Sequence, residues 1–262
     1  MSAALKIPSF DVEKIRADFP ILGELVHGKK LVFLDSAASA QKPRAVIAAM
    51  THAMETQYAN VHRGLHWMSE RTSDAYEAVR EKVATLLNAP SDQTIVFTRN
   101  ATESINLVAH TFGRASLKPG DAIVISEMEH HANIVPWQML RDSHGIELRI
   151  AKITDAGEID FDSLEQQFDD GHVKLLAITH MSNVLGTYTP AERLAKFAHA
   201  HGAKILLDGS QAVVHRAVDV KTLDADFYVF SGHKLYGPTG IGVLYAKPEI
   251  LAAMPPSWAA AT

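Results

Sequence analysis

The chain has 262 residues, 47% apolar and 21% charged, enough for one large hydrophobic core or two modest ones. A formal net charge of -5 argues against a nucleic-acid or anionic-membrane surface, and the lack of any cysteine excludes disulfides, thiolate metal sites and thiol catalysis within this sequence. The start of the chain carries Lys6, Pro8, Asp11 and Glu13 where a signal peptide needs an apolar run, and no stretch approaches a membrane span, so the expected setting is the cytoplasm.

Residues 1–30 read as a mixed N-terminal segment, with a short helix from Asp11 to Phe19 that Pro20 ends. Leu31-Val32-Phe33-Leu34 reads as a short buried strand that opens the main domain, residues 31–254. Pro43 suits the first turn of a helix running to about Tyr58. A second helical period covers 69–88, with Ala75, Val79, Val83 and Leu86 near one face. Thr94 to Thr98 reads as a strand, and Thr102 opens the helix after it. From there the pattern is regular: strands at 122–126, 146–151, 174–179, 204–208, 226–230 and 242–246, with helices at about 132–144, 160–169 and 190–201. Gly120, Gly145, Gly157 and Gly202 mark the joints. Continuous apolar runs such as Ile205-Leu206-Leu207 fit strands buried on both faces. The fold class is therefore α/β with a largely parallel sheet. The tail, residues 255–262, has no packing pattern and is expected to fray.

In an open α/β sheet, ligands gather beyond the C-terminal ends of the strands. Five predicted strand ends carry unusual polar residues: Asn100-Ala101-Thr102-Glu103, Glu129-His130-His131, His180-Met181-Ser182-Asn183, Asp208-Gly209-Ser210-Gln211 and Ser231-Gly232-His233-Lys234. Each has a plain structural reading. Asp208 could cap the turn after its strand, His130 could satisfy backbone groups, and Ala101-Thr102 could be an N-cap alone. Together they suggest more. A lysine behind an apolar strand can form an imine with a carbonyl cofactor, and an aspartate can pair with a pyridinium nitrogen. An imidazole can lie on a flat ring, and a helix N-terminus with hydroxyls can hold a phosphate, which Ser231 and His233 could also reach. The Gly237-Pro238-Thr239-Gly240 stretch is not a dinucleotide fingerprint and reads as a turn before the last strand. His62 and His66 stand four apart, but Gly64 weakens a helix there and no acidic ligand is well placed, so no metal site is assigned.

With this constellation the sequence resembles the pyridoxal-phosphate enzymes of aminotransferase class V, and within them the SUF-type cysteine desulfurase and selenocysteine lyase group. The matching stretches include Leu34-Asp35-Ser36-Ala37-Ala38, Val61-His62-Arg63-Gly64-Leu65-His66, Thr98-Arg99-Asn100-Ala101-Thr102, Met128-Glu129-His130-His131-Ala132-Asn133, His180-Met181-Ser182-Asn183, Asp208-Gly209-Ser210-Gln211 and Phe230-Ser231-Gly232-His233-Lys234, in family order. The resemblance implies the large domain of a fold-type I transferase: a mostly parallel seven-stranded sheet in an α/β/α sandwich, normally in a homodimer. It implies pyridoxal 5'-phosphate as cofactor, with Lys234 bonded to its carbonyl carbon and shuttling the α-proton. Asp208 is then the partner of the pyridine nitrogen, Gln211 of the phenolic oxygen, and His130 lies on the ring. Ala101, Thr102, Ser231 and His233 hold the phosphate, and Asn183 positions the substrate carboxylate. His62 and Arg63 fall near the dimer's active-site rim.

The implied reaction converts L-cysteine to L-alanine and passes the sulfur, through a cysteine of the enzyme, to an acceptor protein of iron–sulfur cluster assembly. This sequence departs from that pattern. Family members are longer, and their final third carries the persulfide-forming cysteine, an arginine for the substrate and most of the small domain. The expectation is a C-terminally truncated chain with impaired desulfuration and exposed apolar surface. The alternatives are selenocysteine lyase or other class V chemistry on L-selenocysteine, and a non-catalytic partner-binding remnant.

Overall fold

The computed structural model of the chain describes residues 10–257. Asp11 caps α1 (Val12–Ala17) by accepting the backbone N–H of Lys14 at 3.0 Å, and Pro20 opens the 3-10 turn that follows. A small antiparallel hairpin pairs β1 (Leu25–Val26) with β2 (Lys29–Lys30) around a His27-Gly28 turn, both residues at positive φ. Leu31–Leu34, predicted as a buried strand, is not one: Val32 is 74% and Leu34 91% exposed. Only the Leu31 N–H extends the hairpin, to the Glu24 carbonyl. An apolar run becomes a strand only where a neighbouring edge takes its backbone groups.

Two helices follow. Pro43 is the N-cap of α2 (Arg44–Thr56), one position before its predicted place in the first turn. In α3 (Trp67–Leu86) the predicted inner face holds only in part: Val83 packs against the core, but Ser69 and Ala84 are the buried residues, while Val79 and Leu86 are about half exposed. The helix meets the body through Tyr76, edge-on to Phe97, and Arg80, which stacks on the same ring.

The rest alternates strand and helix. In chain order come β3 (Ile95–Thr98), α4 (Ala101–Val108), a π turn, α5 (Arg114–Ser116), β4 (Ala122–Ser126), α6 (Val135–His144) and β5 (Glu147–Ala151). Then come α7 (Phe161–Phe168), β6 (Val173–Thr179), α8 (Ala191–Ala200), β7 (Lys204–Asp208), α9 (Ala212–His215), β8 (Phe227–Ser231), β9 (Gly242–Ala246) and α10 (Pro248–Ala253). The short α9 and α10 have no counterpart in the predicted elements.

These strands form one seven-stranded sheet in the order β3-β9-β8-β7-β6-β4-β5. Pairings are parallel from β8 to β5, and β9 alone runs the other way, between β8 and β3. Side-chain alternation sends Ile123 and Ile125 into one core and Ala122 and Val124 into the other. On the first side lie Ile105 and Val108 of α4 and Trp137 and Leu140 of α6. On the second lie Leu164 and Phe168 of α7, Leu194 and Ala198 of α8, and Ala84 of α3. The result is a mostly parallel seven-stranded sheet in an α/β/α sandwich, the architecture that the resemblance implies. Of the 255–262 tail, residues 258–262 lie outside the described residues. Among the described residues no helix is long and apolar enough to cross a membrane.

Candidate active site

Because β9 is the one reversed strand, the C-terminal ends of β3, β6, β7 and β8 emerge at the same edge of the sheet. Thr98 and Ser231 both stand opposite Gly242, and Thr179 and Val229 flank Asp208. A cavity of about 470 Å³ opens there. Ala101, Thr102, His130, Asn183, Asp208, Ser231, His233 and Lys234 all line it. Sequence positions up to 133 residues apart are thus brought together by topology alone.

One wall is the start of α4. Asn100 caps the helix by accepting the Glu103 N–H on Oδ1 at 2.8 Å. The Ala101 N–H donates to Ser231 Oγ at 2.8 Å. That leaves the Thr102 N–H without a protein partner among the described residues, at the positive end of a helix. Gly242 makes this corner possible, since a Cβ there would lie 2.4 Å from the Asn100 carbonyl carbon.

The opposite wall carries charge. Asp208 is buried, and its Oδ1 accepts the Ser210 N–H at 3.0 Å, so the turn-capping role is real and coexists with its place on the cavity. Burial lowers the Lys234 pKa from the usual lysine value, and the Asp208 charge opposes that shift. His130 projects into the opening with its Nδ1 fixed by the Ala132 N–H at 3.1 Å. Burial, then the Lys234 charge, lowers the His130 pKa, with Asp208 opposing. The imidazole is thereby favoured in its neutral form, with the proton on Nε2. Burial likewise lowers His233, with help from the Lys234 and Lys42 charges.

Behind His130 lies a buried carboxyl to which the sequence reading gave no role. Glu129 accepts from Ser126 Oγ at 2.5 Å and Asn133 Nδ2 at 2.8 Å, and Asn133 Oδ1 accepts from Trp137 Nε1 at 3.0 Å. Burial pushes Glu129 up to about 7, and the Asp208 charge adds to that, while the hydrogen bonds pull the other way.

The predicted set is incomplete in other respects. Gln211 is buried but does not line the cavity; its Nε2 donates to the Ala37 carbonyl at 2.8 Å. Asp35, Ala37 and Ala38 do line it, as do Asn100, Ala132 and Ser210. Their signal was present in the polar Asp35-Ser36-Ala37-Ala38 corner, which the misread strand before it disguised. His62 and Arg63 do not line the cavity. His62 contacts Glu77 at 3.1 Å while His66 caps α3, so the two do not share a helix.

Comparison with known proteins places this architecture. The aminotransferase class-V family model matches residues 32–261. A cysteine desulfurase of Dickeya dadantii is 56% identical over 250 residues, covering 95% of this chain and 60% of that protein. One from Pectobacterium atrosepticum is 52% identical over 248 residues, covering 95% and 61%. Among solved structures, an S-sulfonic acid form of a cysteine desulfurase from Escherichia coli superposes with a TM-score of 0.83 at 46% identity, over 94% of this chain and 60% of that one. The apo cysteine desulfurase of Thermococcus onnurineus NA1 gives a TM-score of 0.85 at 38% identity, over 97% and 60%. The chain thus spans about 60% of the length of the curated relatives it matches. A family model that matches nearly all of the seven-stranded sandwich, with Lys234 and Asp208 on one cavity at its strand ends, identifies the chain as a member of the aminotransferase class-V family.

Proposed function

We propose that these residues form the cofactor-holding part of a pyridoxal-phosphate-dependent cysteine desulfurase. The observation that carries the reading is the convergence of the partly buried Lys234, the buried Asp208 and the start of α4 on one cavity. The donor chemistry fits the cofactor: an amine for its carbonyl, a carboxylate for its ring nitrogen, and free N–H and O–H groups for its phosphate. The names of the relatives support the same reaction.

Each residue has a task that its environment explains. Burial raises the share of neutral amine on Lys234 Nζ, the form that attacks a carbonyl and takes up a proton. Asp208, kept out of water, is the ionic partner of the ring nitrogen. His130, held by Ala132, offers a flat neutral ring. Ser231 accepts the Ala101 N–H and keeps its own proton to donate to the phosphate, beside Thr102 and His233. Ala101 therefore acts through Ser231. Gln211 Nε2 holds the Ala37 segment with one N–H, and its second N–H is the proposed donor to the phenolic oxygen. The exposed Asn183 lines the cavity and is the proposed donor to the substrate carboxylate. When bound, pyridoxal phosphate supplies the electron sink that loosens the substrate's α-proton.

The substrate sulfur meets no thiolate of this sequence, which has no cysteine. Turnover of L-cysteine by these residues accordingly depends on a thiol from outside, and in the whole protein on onward transfer to an acceptor of iron–sulfur assembly in the cytoplasm. L-selenocysteine, with selenium in place of the substrate sulfur, is the second substrate proposed. A homodimer is supported by the apolar residues that α2 and α3 leave exposed, among them Met54 and Trp67. The test is alanine release by the cofactor-loaded chain. Release from L-cysteine that rises with added dithiothreitol supports the reading, and no release from either amino acid at any thiol concentration contradicts it.

A further inference from the structure

A lysine outside the predicted site joins two distant parts of it. Lys42 Nζ donates to the Ala40 carbonyl at 2.6 Å and to the His233 carbonyl at 2.9 Å, across 191 positions in sequence. His233 O is the peptide oxygen immediately before Lys234, and it also accepts the Ala40 N–H at 3.1 Å. Ala40 is buried at this junction. A second tether, Gln211 Nε2 to Ala37 O, fixes the same segment from the β7 side. Residues 35–42 therefore form a strap whose Asp35, Ala37 and Ala38 wall the cavity, although no strand pairing holds them.

We propose that Lys42 is a positioning residue for Lys234: its amine ties the strap to the His233–Lys234 peptide, so that one side chain sets both the wall of the cavity and the placement of the lysine inside it. A methionine could fill the same space but would leave the Ala40 carbonyl without this donor and the His233 carbonyl with the Ala40 N–H alone. An arginine could still reach both oxygens. The proposal rests on the functional reading for its meaning, but its geometry concerns the protein alone.

The test uses the cofactor-free chain, with Lys42→Met, Lys42→Gln and Lys42→Arg beside the unchanged protein. Two quantities are read. One is amide exchange across residues 35–42, with β6 and β7 as internal controls. The other is the pH midpoint of reductive methylation at Lys234 by formaldehyde and cyanoborohydride. The titratable groups around Lys234 are Asp208, His130 and His233. Loss of the tether opens the strap and hydrates Lys234. Exchange at Ala40 is expected to rise about tenfold or more with β6 and β7 unchanged, and the methylation midpoint to move up toward the ordinary lysine value. Lys42→Arg is expected to restore both. If Lys42→Met does not fold, Lys42→Gln, which keeps one donor group, gives the same two readings. Strap exchange equal to the unchanged protein overturns the proposal. So does a loosened strap with an unmoved midpoint, which reduces Lys42 to a structural tie. Failure to bind pyridoxal phosphate at Lys234 would overturn the functional reading instead, and neither quantity here depends on it.

Discussion

The backbone N–H of Ala101 donates to the hydroxyl oxygen of Ser231 at 2.8 Å, joining the first residue of α4 to the last residue of β8 across 130 positions. Both atoms are buried, so the bond cannot be exchanged for water without cost. It also aims the Ser231 proton, since the oxygen already accepts one hydrogen bond. Ser231→Ala is expected to lower the stability of the cofactor-free chain by about 1–2 kcal/mol in urea unfolding. The same change should weaken pyridoxal phosphate by about tenfold or more and leave pyridoxal without its phosphate nearly unaffected.

Gly242 faces the same corner. Its missing side chain leaves room for the Asn100 backbone, which a Cβ would meet at 2.4 Å. Gly242→Ala has to push β9 away from the start of α4, and the obstacle is backbone that cannot rotate aside. A loss of about 1–3 kcal/mol in unfolding free energy is expected, together with weaker phosphate binding. Alanine at the solvent-facing Gly202, where nothing lies near the added Cβ, disturbs only the local turn and should spare the phosphate.

Glu129 sets a pH signature. Its folded pKa is raised to about 7 by burial and by Asp208. The fold therefore binds a proton that the unfolded chain releases near 4.5. The stabilising contribution is complete below 4.5 and is lost as pH climbs through about 7, a change of roughly 3 kcal/mol at most. Glu129→Gln mimics the protonated form. Its stability relative to the unchanged protein should rise between those values and then level off. His180, whose pKa burial lowers to about 4, has the opposite slope, so the difference between the two proteins is the quantity to follow.

The strand runs were legible because burial on both faces demands unbroken apolar sequence, as in Ala122–Ser126 and Phe227–Ser231. The polar residues just past them were legible for the same reason, since they interrupt that pattern abruptly. Leu31–Leu34 has an equally apolar pattern but no neighbouring edge, and sequence alone cannot supply one. The inner face of α3 was legible only at Val83, because the helix meets the body there and through Tyr76, Arg80 and Ala84, while its aliphatic Val79 and Leu86 stay outside. The ties that hold the strap were illegible, because they join residues more than 170 positions apart, although its Asp35-Ser36-Ala37-Ala38 corner left a signal.

The exposed apolar residues of α2 and α3 bear on assembly. Ile47, Met50 and Met54 recur on α2 at helical spacing, and none is buried. Ile47→Glu with Met54→Glu should leave the unfolding free energy of the chain within about 0.5 kcal/mol, since neither side chain is in the core. Sedimentation should show the proposed homodimer for the unchanged chain and monomers for the double variant. An unchanged mass would place the dimer contact elsewhere.

Lys234 is the residue proposed to take the cofactor. Pyridoxal phosphate added to the pure chain and reduced with borohydride should become fixed, and peptide mapping by mass spectrometry should find it on Lys234. Asp208→Asn should sharply reduce the yield, and Lys234→Ala should abolish it. Label spread over surface lysines, or uptake that survives Lys234→Ala undiminished, would contradict the account.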